Sequence, residues 1–222
     1  MIRDCELVIQ ATGRRALTLR ELREGLAYVS GASIYYHFWG RFLRPTYNEP
    51  EYNNDFASWA HLHLNDKELA ERLSVINPAD FSSLETLRQE LIDIIEMRID
   101  ETHDFSWNRA DQQFHFILTK IIIFGTGQRV ETPEDLPKIL PQLSPSSIFY
   151  HFIDARRRTP NCSDDFSAWL SDLSDEYAPL CETIQAIDPY FSSLTELREE
   201  LTRMTGDFFA AGRLTERNAA NA

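Results

Sequence analysis

The feature that most constrains the fold of this chain is a set of sequence blocks that occurs twice in the same order. Each block keeps its aromatic, histidine or leucine positions: SIYYHF at Ser33 and SIFYHF at Ser147, DFASW at Asp55 and DFSAW at Asp165, FSSLETLRQEL at Phe81 and FSSLTELREEL at Phe191. The copies are 114 residues apart at the first block and 110 at the second, so the first copy has a loop four residues longer, RPTYNEPEYNN. Three separated blocks in one order predict a tandem duplication.

The two copies predict the same order of elements. The segments ELVIQATG and ILTKIIIFGTG are apolar, rich in β-branched residues and ended by glycine, which indicates a strand at the head of each copy. Leucine and isoleucine at helical spacing then predict four or five helices per copy, with Asp55 and Asp165 as N-caps of the aromatic helices. Because a lone strand leaves its backbone groups unpaired, we expect the two strands to pair with each other.

The expected fold is therefore α+β and mainly α: two tandem homologous copies, each a short strand followed by four or five helices, joined by a small sheet. The first copy covers residues 1–101 and the second 114–206, with a linker at 102–113 and a tail at 207–222. The linker is polar but contains Phe105 and Trp107, so we expect it to pack on one copy, and we expect the tail to fray.

Charge and composition narrow the class of partner. The net charge of −13 and the pI of about 4.9 make the surface repel phosphate backbones and anionic lipid, so we expect neither nucleic acid nor membrane as a partner. The most apolar stretch, 114–124, is far shorter than the roughly 20 residues that span a bilayer. The charged opening residues predict no signal peptide, and three cysteines without paired spacing predict a reduced, cytoplasmic protein.

The repeated histidines admit two interpretations. On a helix, His37 and His151 lie at the margin of an apolar face, where a structural histidine would bond a backbone carbonyl or the carboxylate of Asp55 or Asp165. Alternatively, His37/Asp55 or His151/Asp165 forms a general acid–base pair, which chemistry near neutral pH requires. The structural interpretation is favoured, since buried polar groups are normally hydrogen-bonded, and no catalytic residue is assigned.

Three further pairs recur at equivalent places and are candidates for a ligand site or an interface: Tyr36 and Tyr150, Arg88 and Arg198, Trp59 and Trp169. The tyrosines point away from the apolar face, so another surface must cover them, either the other copy, another chain or a ligand. The arginines could clamp an anionic ligand, but such arginines more often pair with acids on a neighbouring helix.

Metal and cofactor binding have little support in the sequence. His61 and His63, with Asp66 and Glu68 nearby, are weak candidates for metal ligands, but the HxH spacing suits a strand better than a helix. The second copy has serine and leucine at the two histidine positions, so no metal site is assigned. The chain has no glycine-rich phosphate loop and no nucleophile motif, and we expect no cofactor.

The blocks SIYYHF, NDFASW, INP and SSLETLRQEL resemble a family of uncharacterised prokaryotic proteins, catalogued as a domain of unknown function. The resemblance covers most of residues 4–99 and, more weakly, 118–204. The second copy departs from it at TPEDLPKIL, where prolines replace Leu19 and Arg23 of the first copy. The resemblance implies no agreed activity and no catalytic residues, and it suggests a link to carbohydrate metabolism through association with sugar-transferring enzymes.

The function expected from the sequence is that of a soluble cytoplasmic module without catalysis. Its partner would be a small anionic ligand or a protein, and the two copies would pack on each other. The alternative is a small enzyme based on His37/Asp55 or His151/Asp165 and linked to carbohydrate metabolism.

Overall fold

Two strands, β1 (Arg3–Ala16) and β2 (Phe114–Gly125), pair in a two-stranded antiparallel sheet, which confirms the predicted pairing. The computed structural model describes residues 1–44, 51–102, 109–159, 161–191 and 193–220, with the backbone alone at 191 and 213–220. By their contacts these residues form two compact units: unit I is 7–122, and unit II is 1–6 with 123–222. Each unit therefore contains a stretch of both strands.

Unit I contains five helices in the part of the chain that is described. They are α1 (Leu19–Tyr28), α2 (Gly31–Trp39), α3 (Asp55–Leu62), α4 (Lys67–Ser74) and α5 (Leu84–Glu101). Helix α1 packs on α5, and α3 packs on α4. The core combines fully buried leucines of α1 and α5 with Phe56 of α3 and Phe116 of β2. The strand is thus part of the hydrophobic core of this helical unit.

The described part of unit II contains six α-helices, of which the first three have four residues each. They are α6 (Leu136–Ile139), α7 (Pro145–Ile148), α8 (Ala155–Arg158), α9 (Asp165–Leu173), α10 (Ala178–Gln185) and α11 (Leu194–Ala220), with a π-helical stretch, Phe149–Asp154, between α7 and α8. Prolines within Leu136–Gln142 explain why α6 is much shorter than α1, since proline has no N–H to donate within a helix. Gly206 lies inside α11 and does not end it.

The N-caps of α3 and α9 differ from those predicted. Asp55 and Asp165 are not the N-caps of α3 and α9. The caps are Asn54, which accepts from the N–H of Ala57, and Asp164, which accepts from the N–H of Ser167. Because the preceding residue supplies the cap, the carboxylates of Asp55 and Asp165 are available for other partners.

The predicted linker lies partly outside the described residues, and so do Phe105 and Trp107. Its described end is tied to unit I: the N–H of Ala110 donates to the carbonyl of Leu17, and the N–H of Asp111 donates to that of His63. Cys181 is buried in unit II. Across the described ranges, no helix combines the length and apolar character needed to cross a membrane.

Candidate functional site

The repeated histidine of unit I lies in a hydrogen-bonded cluster with an aspartate and an arginine. Nδ1 of His37, on α2, lies 2.8 Å from Oδ2 of Asp55, at the start of α3. The other carboxylate oxygen of Asp55 accepts from Arg44 at 2.7 Å. Both carboxylate oxygens of Asp55 are therefore engaged within the protein.

The second ring nitrogen of His37 is also engaged. Its Nε2 accepts from the backbone N–H of Ile117, on β2, at 3.1 Å. Because a backbone N–H can only donate, Nε2 carries no proton, and the proton of the neutral ring lies on Nδ1, where it is donated to Asp55. His37 thus connects α2 to both α3 and the strand.

Unit II contains the same set of contacts. Nδ1 of His151 lies 2.8 Å from Oδ2 of Asp165, and Nε2 accepts from the backbone N–H of Arg3, on β1, at 2.9 Å. Arg158 donates to Asp165 at 3.1 Å, and it also donates to Oδ2 of Asp154 and to the carbonyl of Tyr150. Each histidine therefore holds a strand through its Nε2 and an aspartate through its Nδ1.

Burial and hydrogen bonding set the protonation states of these clusters. Burial lowers the pKa of His37, because the protonated ring would lose its solvation. Burial alone would raise the pKa of Asp55, but the hydrogen bonds and charges of His37 and Arg44 hold it below its usual range. The pKa of Asp165 is lowered in the same way by His151 and Arg158 against the opposing effect of burial. The aspartates are carboxylates at neutral pH, and His37 is neutral.

Aromatic rings enclose His37. Its ring centroid lies 4.7 Å from that of Phe114 and 5.2 Å from that of Phe56. The side chain of His37 is only 3% exposed. A general base needs a lone pair directed at a substrate, and here the only lone pair of the neutral ring accepts from a backbone amide.

The repeated tyrosines are buried by the same arginines. Tyr36 and Tyr150 are each 3% exposed, and the guanidinium groups of Arg44 and Arg158 lie over their rings at 5.1 and 4.1 Å. Sequence reasoning missed Arg44 and Arg158. The signal was present, since each arginine follows its histidine by seven residues in both copies.

The other repeated candidates make contacts within their own units. The guanidinium of Arg88 donates to the carbonyl of Leu26, and that of Arg198 donates to the carbonyl of Leu143 at 2.9 Å. Nε1 of Trp59 donates to the carbonyl of Gln112 at 2.8 Å, whereas Trp169 is half-buried. Arg88 thus links α5 to the end of α1, and Arg198 and Trp59 hold connecting segments onto helices.

The candidate metal ligands His61 and His63 are not brought together at one site. His63 pairs with Asp111 at 2.8 Å, and together with His37 and Asp55 it lines an open cleft of about 220 Å³. His61 lines a different cleft. Among the residues that the structure describes, no three histidine, cysteine, aspartate or glutamate side chains lie together as a metal site.

Comparison with known proteins places this chain in a family. The model of the Family of unknown function (DUF5752) matches residues 1–206. The chain belongs to this family. Among solved structures, OrfY from Thermoproteus tenax is 30% identical, with 92% of each chain covered and a TM-score of 0.78. No curated protein matches. The predicted resemblance to an uncharacterised domain family is confirmed.

A second, larger cleft of this DUF5752 member lies in unit I and does not include His37 among its lining residues. This charged cleft, of about 770 Å³, is lined by the start of α1, the end of α3 with the turn after it, the start of α4 and the end of α5. Its volume lies within the range typical of ligand sites. The turn carries Asn65 in the left-handed region at a φ of 56°, and Asp66 caps α4 by accepting from the N–H of Leu69.

An ion-pair network forms one wall of the charged cleft in this DUF5752 member. Arg98 donates from Nε to Asp66 at 2.9 Å and from its terminal nitrogen to Glu68 at 2.7 Å and Glu101 at 3.3 Å. Arg72 donates to the same two glutamates, at 2.6 and 2.9 Å. Three carboxylates and two guanidinium groups therefore fix the end of α5 to the start of α4.

Proposed function

We propose that this chain is a ligand-binding protein without catalysis, built from a duplicated helical domain, with its ligand site in the charged cleft of unit I. The observation that carries the proposal is the cleft itself, which is concave, of ligand size, and lined by both apolar and charged side chains. The net charge of −13 supports the absence of nucleic acid and membrane among its partners, and the three free cysteines support a cytoplasmic location.

The duplication is supported by the two histidine clusters. His151 and Arg158 each lie 114 residues after their counterparts His37 and Arg44. Ile117 likewise lies 114 residues after Arg3. However, the strand residue of one copy bonds to the histidine of the other: Ile117 donates to His37, and Arg3 donates to His151. We infer that the strand of each sequence copy completes the helices of the other copy.

The enzyme alternative uses the same pairs, His37/Asp55 or His151/Asp165, and would link the chain to carbohydrate metabolism. It requires Nε2 of the histidine to leave a backbone amide and turn to a substrate. Nε2 has a strand amide as its partner in both units, which supports a structural role for the histidines. His37 lines an open cleft, but both ring nitrogens of His37 and of His151 are hydrogen-bonded within the protein, so neither ring has a nitrogen directed at a substrate.

A protein partner is a second candidate, favoured by one observation. Ile122 and Phe124 lie two residues apart on β2 and are each about half exposed. Residues two apart on a strand lie on the same face, and exposed apolar side chains on one face are typical of protein interfaces. Light scattering of the full chain tests self-association: the pair Ile122→Thr/Phe124→Thr should lower the mass if a second copy covers this face.

The test of the main proposal is a thermal-shift screen of the full chain with sugars, phosphosugars, nucleotides and small carboxylates, because a ligand of the folded state raises the Tm by mass action. Hits are located by backbone amide shifts in an NMR spectrum. Shifts at 61–68 and 98–102 support the cleft. Shifts confined to the surroundings of His37 or His151 favour the enzyme, and hits that shift neither region contradict both.

A further inference from the structure

The charged cleft combines an apolar surface with charged groups. Leu19, Leu64 and Ile99 contribute the apolar side chains, from the start of α1, the turn after α3 and the end of α5. Leu64 is buried, and the other two are half-buried. A ligand that fills this space therefore needs a carbon body that can pack on aliphatic side chains, because a fully hydrated ion would gain nothing from them.

Two cations of the cleft have no ionic partner within the described ranges. Arg20 and Lys67 line it and form no ion pair there, whereas Arg98 is shared among three carboxylates. The three carboxylates are in turn engaged by Arg98 and Arg72. The ionisable side chains that line the cleft therefore balance, three cations against three carboxylates, and the two cations outside the network are flexible side chains that are available to an anion.

The third observation concerns His61. Its Nδ1 is buried and has no hydrogen-bond partner among the described residues, although its ring packs against Tyr52 with centroids 5.2 Å apart. Its Nε2 lies 4.0 Å from a carboxylate oxygen of Glu51. Buried polar atoms are nearly always paired, and a turn of the His61 ring would bring this nitrogen from its buried position to a ligand atom in the cleft.

Resting on the proposed function, we propose that the charged cleft binds a small organic anion, a phosphate or carboxylate ester or acid with a compact carbon body. The body packs on Leu19, Leu64 and Ile99, the anionic group binds Arg20 and Lys67, and a polar atom of the ligand pairs with Nδ1 of His61. Glu68 and Glu101 remain partly exposed on the wall, which disfavours polyanions and restricts the charge of the ligand.

The experiment uses three probes on the ¹⁵N-labelled full chain: phenyl phosphate, inorganic phosphate and phenol. Phenyl phosphate has both an apolar ring and an anionic group, inorganic phosphate has only the anionic group, and phenol has only the ring. We expect phenyl phosphate to shift the backbone amides of 61–68 and 98–102 and to bind more tightly than either fragment. Its affinity should fall as salt is added, because the contact with Arg20 and Lys67 is ionic.

Two variants and a matched control test the assigned side chains. Arg20→Gln/Lys67→Gln should weaken phenyl phosphate by about tenfold to hundredfold, the usual loss for charge-assisted hydrogen bonds. Lys120→Gln/Arg129→Gln removes the same charge from exposed positions outside the cleft and should leave the affinity unchanged. His61→Phe keeps the ring contact with Tyr52 but removes Nδ1, and it should weaken binding without lowering the Tm.

The outcomes separate the ligand class from the proposed function. If phenol binds in the cleft as tightly as phenyl phosphate and Arg20→Gln/Lys67→Gln changes nothing, the anion class is wrong and the ligand-binding function stands. If phenyl phosphate shifts amides elsewhere and the control variant weakens it equally, the anion site is wrong. If neither these probes nor any hit of the screen shifts the cleft amides, both proposals fail.

Discussion

The backbone N–H of Ile117 donates to Nε2 of His37 over 3.1 Å, although 80 residues separate the two positions in sequence. This single bond fixes the tautomer of the ring, since Nε2 must accept and Nδ1 must then donate to Asp55. It also fixes the strand, because the amide has a defined partner on α2. The histidine is thus a joint between a strand and two helices, and its removal has measurable consequences.

Substitution of His37 should destabilise the chain according to how many of its bonds are lost. His37→Asn can still donate towards Asp55 and His37→Gln can still accept from Ile117, so each should cost about 1–3 kcal/mol, and His37→Phe should cost more. Urea unfolding followed by circular dichroism measures the differences. His115→Gln, at an exposed position of β2, is the control and should stay within about 0.5 kcal/mol of the parent. Equal stability of all four variants would contradict the structural role.

The stability of the chain should fall as the pH is lowered below about 6.5, the pKa of an unfolded histidine. The pKa of His37 is lowered in the folded state, so the unfolded state binds more protons there. Its contribution is fully present above about pH 6.5 and decreases as the pH falls, by at most about 1.4 kcal/mol per pH unit. The pKa values of Asp55 and Asp165 are also lowered, so their contributions are lost only below about pH 4.

The pH effect of His37 is isolated by comparison with His37→Gln. Urea midpoints measured from pH 7.5 to 5 should converge for the two proteins as the pH falls. Parallel curves over this range would mean that His37 titrates alike in the folded and unfolded states. A ¹⁵N spectrum of the ring provides an independent check, with the neutral Nδ1–H form expected at pH 7.

Replacement of Arg158 should cost more stability than replacement of Arg44. Arg158 donates to Asp165, to the buried Asp154 and to the carbonyl of Tyr150, whereas Arg44 has one carboxylate partner, Asp55, among the described residues. Arg158→Met leaves the carboxylate of Asp154 less compensated in the interior, so we expect a difference of at least about 1 kcal/mol. Thermal unfolding of the two methionine variants measures it. A larger loss for Arg44→Met would contradict this ranking.

Two glycine-to-alanine substitutions should change the stability of the chain in opposite directions. At Gly25, in α1, a Cβ would collide with the ring of Phe116, so Gly25→Ala should destabilise the chain. At Gly206, in α11, no atom lies near the place of a Cβ, so Gly206→Ala should stabilise the chain by about 0.5–1 kcal/mol through its helix propensity. Tm values of the two variants on either side of the parent value would agree with this assignment. A gain from both would show that β2 does not pack closely on α1.

Periodicity and repetition predicted much of the fold because they report local preferences. The leucine spacing located α1 and α5, and the β-branched runs located both strands. The prediction that Asp55 caps α3 was wrong because Asn54, one residue earlier, takes that role. Asparagine and aspartate can both cap a helix, so the sequence alone does not show which of Asn54 and Asp55 does so. Tertiary contacts decide, because Asp55 bonds to His37 and Arg44.

The partners of the histidines could not be predicted, for a physical reason. A periodic pattern indicates which face of a helix is buried, but it does not identify the backbone amide that will meet a ring nitrogen. The amides of Ile117 and Arg3 carry no sequence signature, because every residue except proline has the same N–H. The charged cleft could not be predicted either, because Arg20, His61 and Lys67 lie on three separate segments that only the fold brings together.

The backbone N–H of Arg3 donates to His151, which lies 148 residues later in the sequence. The direction of synthesis therefore affects when unit II can fold. At about 5–20 residues per second, the ribosome makes Arg3 roughly 7–30 s before it makes His151. During that interval the first residues of β1 have left the ribosome without the helices that will hold them. Unit II can close only after its own helices have been made, and the first residues of β1 must stay unaggregated until then.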